Sequence, residues 1–242
     1  MIEVGYIKLC SKLLDELLQF TYIYLLQVTS SGNARTVTRY MYACFRSNEV
    51  HIPSITGTSY IRICIGASDM MAVSPYTYDD LENNNDTDFN MEHFSIDKDK
   101  DFVIPILKEA LEINPNLKIM GSPWSAPAWM KFEHKLFGGT FNDEDPQFME
   151  ALALYLVKFI QAYEAEGIPI ESFTVQNEPT IERFDYPTMI MNVSIMTEFI
   201  KHHVGPLMQQ NNMTTKLLIW DFNWIDPWYP ELLLQDGKFY KE

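Results

Sequence analysis

A glutamate follows a short apolar run in the segment TVQNEP, residues 174–179. Cleavage of a glycosidic bond needs a carboxylic acid that protonates the departing oxygen, and a rigid strand can aim such a group into a site. Asn177, next to Glu178, is a candidate partner for a sugar hydroxyl. The residue types leave a second interpretation open, in which Glu178 is a surface or helix-capping glutamate of a loop.

Three other apolar runs also end in residues that suit carbohydrate binding or charge pairing: Asp69, Trp124 and Asp221. Asp69 is a candidate acceptor of hydrogen bonds from sugar hydroxyls, and Trp124 is a candidate stacking platform for a sugar face. Core packing is the alternative for Trp124 and is the favoured interpretation for Trp129. For Asp221, helix capping or an ion pair with Arg62 is favoured over direct chemistry.

Strands and helices must position these side chains, and the sequence patterns that predict such elements begin near residue 60. The patterns predict strands at 60–65, 117–120, 173–175 and 216–220, and helices at 97–113, 147–166 and 196–210. Asp97 is the predicted N-cap of the first helix, and Gly167 is predicted to close the second. The alternation indicates parallel strands joined by crossover helices. In a (β/α)8 barrel, the carboxyl ends of such strands share the face that holds the active site.

The composition of the chain disfavours several classes of partner and cofactor. The 242 residues are 47% apolar, which is typical of a folded chain, and the net charge of -15 argues against nucleic acid as a partner. The three cysteines form no disulfide framework, and the histidines show no metal-ligand spacing, so we expect neither a metal nor a cofactor. The absence of a glycine-rich phosphate loop also disfavours nucleotide binding in an open doubly wound sheet.

Signals for cellular location are mixed. Glycosylation sequons, which fit a protein of the secretory route, occur at Asn85, Asn192 and Asn212. An apolar run at residues 17–28 is preceded by acidic residues, whereas a signal peptide has a basic first region. The run is also too short to cross a bilayer as a helix.

Four stretches of the chain carry a resemblance to a known family: RICIGASD with YTYDD (62–69 and 76–80), GSPWSAPAWMK (121–131), QNEP (176–179) and LLIWDFN (217–223). In these stretches the chain resembles the glucosylceramidases, the lysosomal acid β-glucosidases of glycoside hydrolase family 30, over about residues 58–242. The resemblance implies an α/β fold, namely a partial (β/α)8 TIM barrel of about strands 2–5. Two departures are Cys64 and Met70, which replace a proline and a phenylalanine of the family pattern.

The resemblance also implies roles for individual residues. Glu178 would be the catalytic acid/base, Asp69, Trp124 and Asn177 would line the glucose subsite, and Tyr186 would lie near the mouth. The family hydrolyses glucosylceramide to glucose and ceramide with retention of configuration and without a metal. A saposin-type activator assists it at a membrane surface. The implied location of this chain is therefore the lysosome or the secretory route.

The same resemblance divides the chain into a divergent N-terminal segment, residues 1–56, and a partial TIM-barrel hydrolase domain, residues 57–242. It implies that strands six to eight, the family's β-sandwich domain and the nucleophile after strand seven are missing, so we expect the isolated chain to be inactive alone and only marginally stable. Two alternatives stay open. One is another family 30 glycanase acting on a glucan or xylan, and the other is a catalytically dead carbohydrate- or lipid-binding pseudoenzyme.

Overall fold

The structure, a computed structural model, describes residues 59–70, 74–223 and 227–235. The predicted N-terminal segment, residues 1–56, lies outside these residues. The strands are β1 (Tyr60–Ile65), β2 (Lys118–Pro123), β3 (Ser172–Thr174) and β4 (Lys216–Leu218). The helices are α1 (Asp97–Lys100), α2 (Val103–Ile113), a 3-10 turn (Ala128–Met130), α3 (Pro146–Ala165), α4 (Val193–Glu198), a π-helical turn (Phe199–Val204), α5 (Gly205–Gln210) and α6 (Trp228–Gln235).

The four strands form one parallel sheet in the order β1-β2-β3-β4. The register places Gly121 opposite both Ile63 and Phe173, and Phe173 opposite Leu217. Each strand lies beside the one that precedes it in the chain, without the reversal of order that defines a doubly wound sheet. This is the arrangement of a barrel segment, which confirms the predicted α/β, partial TIM-barrel class.

Helix α3 supplies much of the core that supports the sheet. Its 20 residues begin with Pro146, after Asp145 accepts a hydrogen bond from the backbone N–H of Gln147 at 3.0 Å. Phe159 is fully buried, and a Cβ added to Gly121 of β2 would lie 2.8 Å from its ring. Glycine at position 121 therefore lets the helix approach the sheet closely. The helix is followed by Gly167 with φ +81°, as the sequence predicts.

The prediction of one helix over 97–113 is wrong, because the segment divides into α1 and α2. Asp97 is also not the N-cap, since Ile96 holds that position and Asp97 is the first helical residue. The break follows from Asp99, a buried carboxyl that accepts hydrogen bonds from the hydroxyls of three tyrosines, Tyr76, Tyr78 and Tyr163. Turning Asp99 inward shortens α1 and fastens the segment after β1 to α3.

The third predicted helix, 196–210, begins earlier and is not a regular α-helix. Asn192 caps it, accepting a hydrogen bond from the backbone N–H of Ile195 at 3.0 Å. At its centre the π-helical turn brings the N–H of Gly205 to the carbonyl of Ile200. A Cβ at position 205 would lie 2.5 Å from that oxygen, so the turn requires glycine. Within the described part of the chain, no helix has the length and apolarity to cross a membrane.

Candidate active site

The guanidinium group of Arg62, in β1, connects the carboxyl ends of the strands. It donates hydrogen bonds to Ser122 Oγ at 2.9 Å, to Asn177 Oδ1 at 2.7 Å and to Asp221 Oδ2 at 2.6 Å. These partners lie in β2, after β3 and after β4, so one side chain links all four strands. The ion pair between Arg62 and Asp221 that the sequence favoured is therefore confirmed.

The carboxylate of Asp221 is held by two hydroxyl groups in addition to Arg62. Ser122 Oγ donates to its Oδ2 atom at 2.5 Å, and Thr174 Oγ1 donates to the same atom at 2.9 Å. The side chains of Arg62 and Asp221 are only 12% and 16% exposed. A shielded ion pair is tolerated when its members are hydrogen-bonded in this way. Arg62, Ser122, Thr174 and Asp221 therefore form a fixed polar network at the carboxyl ends of the strands.

The backbone of Glu178 adopts a conformation that L-residues rarely use, with φ +46°. Its N–H donates to the carbonyl of Asp221 at 2.9 Å, and its carbonyl accepts from the N–H of Ile181 at 2.9 Å. One residue earlier, the N–H of Asn177 donates to the carbonyl of Pro123 at 2.8 Å. These bonds hold the left-handed conformation, whose cost is about 1–2 kcal/mol for a residue with a side chain.

The carboxyl group of Glu178 is half-buried, and its pKa lies above the usual value. Burial is the main cause, and the negative charges of Asp69 and Asp221 act in the same direction. The positive charges of Arg62 and Arg183 oppose this rise in the pKa. A raised pKa shifts a carboxyl group toward its protonated form, which is the form a general acid needs.

Asn177 and Trp124 both contact Arg62 of this polar network. Asn177 is 6% exposed, and its amide oxygen accepts the hydrogen bond from Arg62. Its amide nitrogen therefore points away from Arg62. The ring of Trp124 is 2% exposed and lies 4.5 Å from the guanidinium carbon of Arg62. In this structure the indole supports Arg62 and is not an open stacking surface. Trp129 is fully buried and donates to Asp79 at 2.9 Å, which confirms its predicted place in the core.

Asp69 and Tyr186 approach Glu178 from two different loops. Asp69 is exposed in the loop after β1, and its charge raises the pKa of Glu178. Tyr186 lies in the segment after β3, and burial and then the charge of Glu178 raise the pKa of its phenol. The guanidinium carbon of Arg183 lies 5.4 Å from the centre of the Tyr186 ring. The residues that the resemblance implicated are thus brought together, while their individual roles stay predictions.

Sequence reasoning missed Ser122, Thr174 and Arg183 as members of this region. A charged residue in an apolar strand was the available signal, because Arg62 in YIRICI must find partners on neighbouring strands. Small hydroxyl residues near the ends of β2 and β3 are such partners. Arg183 carries no comparable signal, since it lies in a loop and is half-exposed.

Among the residues described, no group of three or more His, Cys, Asp or Glu side chains is arranged to hold a metal ion. Of the described residues, Asp69 and Asp221 are carboxylates whose charges raise the pKa of Glu178. The carboxylate of Asp221 is hydrogen-bonded to Arg62 and to two hydroxyl groups, which is the arrangement of a structural ion pair.

Comparison with known proteins places this geometry in context. An endo-1,6-β-D-glucanase of Neurospora crassa is 35% identical over 181 residues, which is 74% of this chain and 37% of that protein. The lysosomal acid glucosylceramidase of Mus musculus is 30% identical over 195 residues, which is 76% of this chain and 37% of that protein. The chain thus spans less than half the length of these curated relatives.

A solved structure of an endo-β1,6-glucanase superimposes with a TM-score of 0.71 and 31% identity, covering 85% of this chain and 45% of that one. The sequence itself matches the glycosyl hydrolase family 30 TIM-barrel domain over residues 51–239. That match includes all four strands and the Glu178 segment. The chain belongs to glycosyl hydrolase family 30, as a TIM-barrel domain of that family.

Proposed function

We propose that this chain supplies the acid/base side of a glycoside hydrolase that cleaves β-glucosidic bonds with retention of configuration. The observation that carries the proposal is Glu178, a half-buried carboxyl with a raised pKa in the segment after β3, close enough to Asp69 and Tyr186 to interact with both electrostatically. Membership of family 30 supports the reaction class. The relatives with the higher identities are endo-1,6-β-glucanases, which supports a β-1,6-glucan as the first candidate substrate.

In the proposed reaction, the protonated Glu178 donates its proton to the glycosidic oxygen while the bond to the anomeric carbon breaks. The leaving alcohol departs, and a second carboxylate attacks the anomeric carbon from the opposite face. Glu178, now ionised, takes a proton from water as the water oxygen bonds to the anomeric carbon, and the bond between that carbon and the second carboxylate breaks to release the sugar. The residues described here supply the acid/base, and no nucleophile is assigned among them.

Glucosylceramide is the second candidate substrate. The similarity to the mouse glucosylceramidase and the YTYDD and GSPWSAPAWMK segments support it. With this substrate the site would work at a membrane surface, with a saposin-type activator, in the lysosome or the secretory route. The three sequon asparagines, Asn85, Asn192 and Asn212, are all exposed, which supports passage through that route.

The test compares wild-type chain with Glu178→Gln on two kinds of β-glucoside at mildly acidic pH. Cleavage of a β-1,6-glucan, whose leaving group needs protonation, should fall by roughly 10²–10⁴-fold in the variant. An aryl β-glucoside with an activated leaving group should be much less affected in the bond-breaking step. Glu198→Gln, on the exposed face of α4, is the matched control and should leave both rates unchanged.

Equal loss on both substrates would contradict the acid role of Glu178. An inactive wild-type chain would direct the test to calorimetry with a glucose-like iminosugar, which needs the subsite but not the nucleophile. Binding without turnover would favour the pseudoenzyme alternative or a chain that needs more of the barrel. An absence of binding would remove both the hydrolase proposal for this chain and the pseudoenzyme alternative.

A further inference from the structure

Lys131 is a fully buried lysine at the end of the GSPWSAPAWMK segment. Its ammonium group donates hydrogen bonds to Ser125 Oγ at 3.1 Å, to the carbonyl of Leu136 at 3.0 Å and to the carbonyl of Thr188 at 2.8 Å. The three donors of the ammonium group thus have three acceptors, in three different parts of the chain. Burying an ammonium group is costly without such partners, so this position requires a structural or functional explanation.

Two of the acceptors of Lys131, the carbonyls of Leu136 and Thr188, belong to the loops that follow β2 and β3, whereas Ser125 directly follows Trp124. We call residues 131–142 the β2 loop and residues 179–191 the β3 loop. Main-chain bonds also join these loops, from the N–H of Ile190 to the carbonyl of Gly139 at 2.9 Å and from the N–H of Phe141 to the carbonyl of Ile190 at 3.1 Å. A side chain adds a further link, because the N–H of Gly139 donates to Glu182 Oε1 at 2.9 Å.

Within the β3 loop, the side chain of Thr188 is hydrogen-bonded to the backbone of Arg183. Its hydroxyl accepts from the backbone N–H of Arg183 at 2.9 Å and donates to the carbonyl of Arg183 at 3.1 Å. Arg183 lowers the pKa of Glu178, and its guanidinium group lies near the ring of Tyr186. A continuous path of hydrogen bonds therefore runs from Lys131 through Thr188 to Arg183.

We propose that Lys131 is a positioning residue, whose buried ammonium group fixes the β3 loop against the β2 loop and so sets Arg183 and Tyr186 relative to Glu178. The part that concerns Glu178 rests on the proposed function, whereas the restraint on the loops does not. The negative charges of Glu133 and Glu182, which lie in the same two loops, raise the pKa of Lys131. Burial still dominates and lowers the pKa of Lys131 to about 7, so the ammonium form is the prevailing form at the acidic pH that suits Glu178.

Hydrogen exchange of Lys131→Met tests the loop restraint without any need for activity. Amides of Gly139, Arg183 and Ile190 should exchange about tenfold faster or more in the variant, while amides of α3 keep their rates, because only the loops are released. Lys158→Met is the matched control, since that lysine is partly buried and donates to a single carbonyl, that of Met91, at 2.6 Å. It should leave the amides of both loops unchanged.

Unchanged exchange in both loops would overturn the proposal, as would uniform acceleration that includes α3, which would indicate a contribution to global stability only. If Lys131→Met does not fold, Ser125→Ala removes one of the three acceptors. It should accelerate the same loop amides to a smaller extent. Unchanged loop exchange in a folded Ser125→Ala chain would then overturn the proposal.

The pH dependence of iminosugar binding tests the link to Glu178. When the β3 loop is released, Arg183 no longer lowers the pKa of Glu178, so the midpoint of the binding profile should move to higher pH in Lys131→Met. A weaker affinity with an unmoved midpoint would restrict Lys131 to a structural role and overturn the link to Glu178. If wild-type chain does not bind the iminosugar, the proposed function fails, and the exchange experiment still decides the loop restraint.

Discussion

Arg62→Met should destabilise the chain strongly, because it removes the cation that joins all four strand ends. Methionine replaces the stem of the side chain but not its three hydrogen bonds, at 2.9, 2.7 and 2.6 Å. Removal of one partner of a buried ion pair costs about 3–5 kcal/mol. Since Arg62 and Asp221 retain 12% and 16% exposure, and Ser122 and Thr174 still donate to Asp221, we expect the low end, about 3 kcal/mol.

Urea unfolding measured by circular dichroism gives this loss directly. With a slope of about 2 kcal/mol per molar, the midpoint should fall by roughly 1.5 M without a change in slope. Arg183→Met is the matched control, because Arg183 and Asp185 form an exposed pair, 51% and 64% accessible, and its loss should be clearly smaller. A loss below about 1 kcal/mol for Arg62→Met, as for surface pairs, would refute the reasoning.

Two further predictions concern Asp79 and Asn192. Burial raises the pKa of Asp79 to about 6, so the folded state favours the protonated carboxyl. The stability that this preference adds is complete below about pH 4 and is lost as the pH rises through about 6. The free energy of unfolding should fall by about 3 kcal/mol over this range. Asp79→Asn should therefore remove this slope from stability measured by urea titration at several pH values, and an unaltered slope would assign it to other groups. Asn192→Ala should cost about 1 kcal/mol through loss of the helix cap, while Asn192→Asp should cost clearly less, and equal losses would show that the cap hydrogen bond is not the cause.

The strands could be predicted from the sequence because short β-branched runs bounded by turn residues form a local signal. Each of the four predicted strands overlaps an observed one, and the polar residues after them gather at one edge of the sheet, as parallel strands require. The ends of the helices were less accessible. The break between α1 and α2 depends on Asp99, whose three tyrosine partners lie 21 to 64 residues away along the chain.

The site shows the same division between local and distant causes. Glu178 stands out because a carboxyl directly after a strand is visible in the sequence. Lys131 does not stand out, since in GSPWSAPAWMK it resembles any surface lysine until the chain folds over it. Its three acceptors lie as many as 57 residues away from it along the chain. Trp124 illustrates a third case, where residue type predicted the location but not the exposure of the ring.

The left-handed backbone at Glu178 bears on which residue this position would accumulate if the proposed acid/base role were lost. Glycine and asparagine are the residues that best tolerate φ +46°, so either would relieve the strain of the backbone at this position. Drift would therefore carry an idle copy away from glutamate at this position. A glutamate at a position where the backbone favours a different residue is what the proposed acid/base role predicts.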